Sequence, residues 1–118
     1  MTHTHPTADL ETLSLDSLIQ VASAQPVLDE SGEDALIQRA NAGDRRVLEQ
    51  LAMSNVRIVI DEAIRTRGLG VSQEKLVRAG VRALLDAVRY YDPSAQGRFS
   101  THVRSRVRSA VREAIGVS

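Results

Sequence analysis

Apolar residues along this chain return at three- and four-residue steps, the spacing that gathers side chains on one face of an α-helix. Leu15, Leu18, Ile19 and Ala22 open the series. Ser14 is placed to cap that helix, and Leu13 to pack on Leu18 as a hydrophobic staple. Gln25-Pro26 ends it, because the residue before a proline avoids the α region. A second helix is expected from about Ser31, with Leu36, Ile37 and Ala40 on its stripe and Asn41-Ala42-Gly43 as its stop. Asp44 reads as the cap of a third, which carries Val47, Leu48 and Leu51. Ser54-Asn55 marks a cap or a junction. Beyond it Val56, Ile58, Val59, Ile60, Ala63 and Ile64 are β-branched enough to imitate a strand, yet most keep helical spacing, and a helix is expected.

Gly68 and Gly70 mark a loop, and Ser72 caps the segment after it. Leu76, Val77, Gly80, Val81, Leu84, Leu85 and Val88 then give the clearest helical pattern in the chain. Gly80 costs about 1 kcal/mol inside a helix, which points to a close helix crossing there. Asp92-Pro93 through Gly97 reads as a turn. A last helix is expected from about Ser100, with Phe99, Val103, Val107, Ala110, Val111, Ala114 and Ile115 on one face. No internal repeat is present. The expected fold is all-α with five or six short helices. Residues 1–10 are expected to form a disordered tail, the first eight being polar and broken by Pro6, and residues 11–118 a single domain.

Composition narrows what that domain does. In 118 residues there is room for one modest core, and with 3% aromatic residues and no Trp it must be built from Leu, Ile, Val and Ala. The absence of cysteine excludes disulfide scaffolds, cysteine-ligated metal sites and thiol nucleophiles. Gly68-Leu69-Gly70 is no dinucleotide loop, since Gln73 stands where the third glycine is needed, and no lysine-bearing phosphate loop occurs. Adjacent acids such as Asp61-Glu62 and Glu33-Asp34 point in different directions on a helix. His102 has no partner at a triad spacing, and His3 and His5 lack a third ligand. No catalysis, cofactor or metal is expected. With no apolar run near the roughly 20 residues of a membrane span and no signal segment, a soluble cytoplasmic protein is expected, without membrane association.

The formal net charge of +0 conceals a division. Residues 1–44 hold eight acids against Arg39 alone, whereas residues 45–118 hold seven acids against fourteen bases. From residue 98 onward there are five arginines and only Glu113. Such a segment attracts a polyanion even when the whole chain is neutral. Arg104, Arg108 and Arg112 lie four apart and form a stripe, with Ser105 and Ser109 beside it and Arg106 off it. Two readings compete with nucleic-acid contact: a merely solvated face, and an intramolecular one in which the acids of residues 29–34 fold back against the stripe. Val81 likewise stands either in the core stripe or at an interface.

Several of these elements together resemble a known family. Gly43-Asp44, then Asn55-Val56-Arg57-Ile58-Val59, then Leu76 through Asp92-Pro93, then Arg98-Phe99-Ser100-Thr101 are similar in order and spacing to region 2 of bacterial RNA polymerase sigma factors of the sigma-70 family. Residues 16–44 resemble the end of their region 1, so residues 11–43 are expected as a short region 1-like part. The resemblance implies a compact orthogonal helical domain without catalytic activity. It implies that the Leu76 helix docks on a coiled coil of the polymerase's largest-subunit clamp and that the final helix meets the −10 promoter element. The chain departs from the pattern in several places. Lys75 replaces an acid, Arg78, Ala79 and Val81 replace polar or acidic docking residues, His102 replaces a tyrosine, and Ser105-Arg106 replace two tryptophans. Ser109 and Arg112 correspond to base-contacting glutamine and threonine positions. A chain ending at Ser118 leaves no space for the family's later regions, so a complete autonomous initiation factor is not expected.

Two functions follow as expectations. The first is a partner-dependent or regulatory sigma-like transcription protein, bound to the polymerase clamp or a second sigma-like subunit, with promoter DNA met by Arg98, His102, Arg104, Arg106, Arg108, Ser109 and Arg112. The second is an interaction module that engages an anti-sigma factor or another regulatory partner without DNA. In either case the partner-facing residues are Lys75, Arg78, Ala79, Val81, Arg82 and Leu85.

Overall fold

The computed structural model describes residues 10–91 and 97–116. Six helices account for most of them: α1 (Leu15–Ala24), α2 (Glu30–Asn41), α3 (Arg46–Ser54), α4 (Val56–Arg65), α5 (Gln73–Arg89) and α6 (Phe99–Ile115). No strand occurs among the described residues, and the β-branched run after Asn55 is helical as its spacing demands. None of the helices is long and apolar enough to cross a membrane. The histidine pair and the disorder expected at the N-terminus lie outside the described residues, as do Asp92 and Pro93 of the expected turn.

Short polar side chains start three of the helices, α1, α2 and α5, by taking up N–H groups that have no partner within the first turn. Ser14 Oγ accepts from Ser17 N at 3.2 Å, and Ser72 Oγ accepts from Lys75 N at 3.3 Å. Asp29 Oδ1 accepts from Gly32 N at 2.8 Å, so α2 starts one residue earlier than its apolar pattern suggests. At the α3–α4 joint Asn55 is buried, and its Nδ2 donates to Leu51 O at 2.7 Å. That carbonyl belongs to the last turn of α3 and would otherwise be orphaned.

Gly43, at φ +103°, releases the chain from α2 into the turn before α3. Asp44 then holds that turn from both sides. Its Oδ2 accepts from Arg39 Nη2 at 2.8 Å and its Oδ1 from Arg46 N at 3.2 Å. The Arg39 hydrogen bond is the main reason its carboxyl titrates below the ordinary value of 3.8. The depressed folded-state value means that the stabilisation is complete above the unfolded-state value and is lost as pH falls through the folded one. Asp44→Asn is therefore expected to lower the melting temperature near neutral pH and to shrink the loss seen on acidification below about pH 4. Parallel acid limbs in melting curves of the two proteins would show that Asp44 contributes no such term.

The core forms around α5, which packs along α6, crosses α4 and touches α3 and α1 more lightly. The other principal contacts are α1 on α4, α2 on α3 and α4 on α6. Leu76, Val81 and Leu84 of α5 are fully buried, as are Val56 and Val59 of α4 and Val103 and Val107 of α6. The close crossing expected at Gly80 is present. A Cβ placed there would stand 2.9 Å from Val59 Cγ1, 3.6 Å from Val107 Cγ1 and 3.7 Å from Val111 Cγ2. The expected tail boundary needs correction at residue 10. Leu10 is only 1% exposed and belongs to the core, and its carbonyl accepts from Leu13 N at 3.3 Å. A leucine side chain gains about 1.5–3 kcal/mol on burial, enough to anchor the stretch before α1.

Candidate nucleic-acid interface

The last helix owes its orientation to Phe99, Val103, Val107 and Val111, which recur every four residues and are all buried. With that edge fixed against α4 and α5, successive rotations of 100° per residue decide where each arginine goes. Arg104, Arg106, Arg108 and Arg112 are all exposed. Arg106 lies off the line that Arg104, Arg108 and Arg112 make at four-residue steps along the helix. Arg104 borders a pocket between α4 and the α1–α2 connection, Arg106 turns the other way to line a groove between α5 and α6, and Arg112 projects outward near the C-terminal end.

Arg108 is partly committed within the domain. Its Nε donates to Oε1 of Glu62 at 3.3 Å, and Arg65 Nη1 approaches the same oxygen at 3.6 Å. Glu62 is 3% exposed, and a carboxylate so buried needs the cations beside it. Arg98 is held more firmly. Its Nη2 donates to Glu33 Oε2 at 2.7 Å and lies 3.4 Å from Leu28 O, while its Nε is buried without a hydrogen-bond partner. Glu33 is also only 3% exposed. Of the acids in residues 29–34, Glu33 folds back on Arg98, which lies outside the stripe, and the carboxylate that meets the stripe, at Arg108, comes from α4.

Arg104, Arg106 and Arg112 make no ion pair among the described residues. His102 is half-buried, its ring 5.8 Å from that of Tyr91 in an edge-on arrangement, and Tyr91 in turn meets Phe99 at 5.0 Å. It serves the junction at the start of α6. Ser109 is exposed on the α5–α6 groove. Arg57, which was not among the expected contacts, is exposed on the same pocket of about 190 Å³ as Arg104. Ser100 lines that pocket at the open N-terminal turn of α6.

The expected partner face on α5 divides in a similar way. Lys75 is exposed, and Ala79 and Leu85 are half-buried. Arg78 Nη2 donates to Glu74 at 2.8 Å, and Arg82 Nε donates to Glu11 at 3.3 Å, so part of the positive charge on this face is neutralised internally. Val81 requires correction as a partner residue. It is fully buried, because it lies four residues after Val77 and three before Leu84 on the apolar side of α5. Leu85 faces α3 rather than the α5–α6 groove.

The two buried glutamates anchor Arg98 and Arg108, and a reading of charge runs passes over them. A signal for them exists in the spacing: Glu62 follows Val59 by three residues, and Glu33 precedes Leu36 by three, so each sits on its helix's apolar face.

No family profile matches the chain. It is, however, similar to several curated proteins described as RNA polymerase sigma factors. It is 34% identical over 90 residues to SigA of Clostridium acetobutylicum and 31% identical over 91 residues to RpoS of Coxiella burnetii. To SigA of Listeria monocytogenes it is 35% identical over 83 residues. These matches cover 70–77% of this chain but only 22–26% of the relatives, so the chain spans about a quarter of the length of the proteins it matches.

Proposed function

We propose, from the premise that the chain is sigma-factor-like over about three quarters of its length, that it is a transcription protein resting α6 on the DNA backbone beside RNA polymerase or a second sigma-like subunit. The observation that carries the reading is the freedom of Arg104, Arg106 and Arg112: exposed guanidinium groups on the helix whose other edge is locked into the core. Phosphates supply the anions they lack. The action is binding and positioning, with no bond made or broken, in the cytoplasm where the polymerase works.

The same helix argues against strand melting by this domain alone. Its one aromatic residue, Phe99, is buried, and His102 packs against Tyr91, so its outward face offers no stacking platform. Stacking is worth about 1–3 kcal/mol per base, and its absence leaves backbone charge as the source of affinity. Three free cations on duplex DNA predict a log–log salt slope near about −2.7, a fall of roughly 40-fold between about 50 and 200 mM salt, with little sequence preference. Fluorescence anisotropy with a labelled duplex measures this directly. Simultaneous Arg104→Ser, Arg106→Ser and Arg112→Ser substitution is expected to remove most of the slope, and binding that is unchanged by the triple substitution would reject the reading.

A second reading draws on the groove between α5 and α6, where Ala79, Ala83, Ala110 and Ala114 leave room for a partner's backbone. There the domain engages an anti-sigma factor or another regulatory protein, and DNA is not touched. Binding of an anti-sigma factor that is lost with Ala79→Glu and retained in the triple arginine variant would favour partner binding over DNA contact.

A further inference from the structure

On another side of the molecule, α3 and the C-terminal half of α5 enclose a cleft of about 290 Å³. Leu48 and Ala52, one helical turn apart on α3, face Leu85 and Val88, one turn apart on α5, and the four make an apolar floor. Leu48 and Leu85 are only partly buried, so apolar surface is left open to water. Arg45, Arg46 and Arg89 stand at the rim together with one carboxylate, Glu49. Arg45 has no ion pair among the described residues, and Arg46, whose Nε lies 3.5 Å from Asp44, keeps a side chain that is 91% exposed. The Arg89 guanidinium lies 6.0 Å from the ring centroid of Tyr90, which is itself exposed.

We propose that this cleft docks an acidic amphipathic segment of a partner protein, with apolar side chains on the Leu48–Leu85 floor and carboxylates against Arg45, Arg46 and Arg89. Charge complementarity selects the occupant. A second copy of this chain seated face to face on the same cleft would bring the same cations against one another, which is repulsive. A nucleic-acid backbone would satisfy the rim and leave the floor bare. Within the chain's own acidic stretch, Asp29 is engaged in capping α2 and Glu33 in holding Arg98. The cleft contains none of Arg104, Arg106 and Arg112, so the inference stands apart from DNA contact by α6 and survives its failure.

The test is a backbone-amide NMR titration of the full chain with a synthetic helical peptide of roughly 16 residues, long enough to hold some helix in water, carrying Leu on one face and Glu on the other. Two comparison probes are the same peptide with Leu replaced by Ser, and a single-stranded oligothymidylate. The acidic amphipathic peptide is expected to shift the amides of residues 48–52 and 85–89. Its affinity should fall about tenfold in the Arg45→Glu/Arg89→Glu variant, as expected for two exposed pairs turned repulsive. It should be unchanged in Arg104→Ser/Arg112→Ser. Shifts that map to α6 instead, equal binding of the Ser-substituted peptide, undiminished affinity in the charge-reversed variant, or a preference of the cleft for the oligonucleotide would each overturn the proposal.

Discussion

Gly80→Leu is expected to unfold the domain under conditions in which the parent is folded, and Gly80→Ala to destabilise it in spite of a better helix former. The alanine case sets two effects of known size against each other. Removing glycine from the middle of α5 gains about 1 kcal/mol of helix propensity. The new methyl would stand 2.9 Å from Val59 Cγ1, inside van der Waals contact, with Val107 and Val111 closing the space beside it. Val59 is fully buried on α4, and a valine in a helix has one strongly preferred rotamer, so it cannot swing clear. Either α4 and α5 part or the side chain leaves its rotamer, at about 1–3 kcal/mol. The net loss for alanine is then up to about 2 kcal/mol. Leucine adds three further carbons to a point where three helices meet. That exceeds about 3 kcal/mol, a large share of the 5–15 kcal/mol typical of a whole domain. Urea unfolding followed by far-ultraviolet circular dichroism gives both values. Val59→Ala placed together with Gly80→Ala should cost less than the sum of the two single changes, because the valine methyl is what obstructs. A Gly80→Ala protein more stable than its parent would show that the crossing has slack.

Gly80 also illustrates what could be read before any coordinates. A glycine inside the strongest helical pattern in the chain has few explanations, and close packing is the one that its apolar neighbours favour. The helices were legible for the same reason: each needs an apolar edge, and that edge follows from local spacing. Val81 was ambiguous only because its position permitted both core and interface, and the burial of α5 against α4 and α6 decides between them. The arginines were harder. The spacing shows which edge of α6 Arg104, Arg108 and Arg112 share, but not which helix lies beside that edge. Arg108 finds a carboxylate on α4 that is 46 positions away, and Arg98 finds one on α2 that is 65 positions away. Partners at such separations are set by the tertiary packing of several helices at once. For that reason the five cations divide into Arg104, Arg106 and Arg112, which make no ion pair among the described residues, Arg108, which is shared, and Arg98, which belongs to the scaffold.

The assignment of Arg98 to the scaffold has a large measurable consequence. Arg98→Met removes the cation from a glutamate that is 3% exposed, and a buried charge left without its partner costs about 3–5 kcal/mol. The Arg98 side chain is itself 39% exposed, so water screens part of the interaction and a loss of about 2–3 kcal/mol is expected. The pair is not an optimised one, since Arg98 Nε is buried without an acceptor and an unsatisfied donor carries its own penalty. Replacing both members with apolar residues, Glu33→Leu with Arg98→Met, should therefore recover most of the stability, and a double-mutant cycle by chemical denaturation measures how much. The DNA readout separates this role from a phosphate contact. If Arg98 is engaged with Glu33 throughout, Arg98→Met lowers the melting temperature while the salt slope of DNA binding stays where Arg104, Arg106 and Arg112 set it. An unchanged melting temperature with a slope reduced by about 0.9 would instead mean that Arg98 leaves Glu33 to neutralise a phosphate.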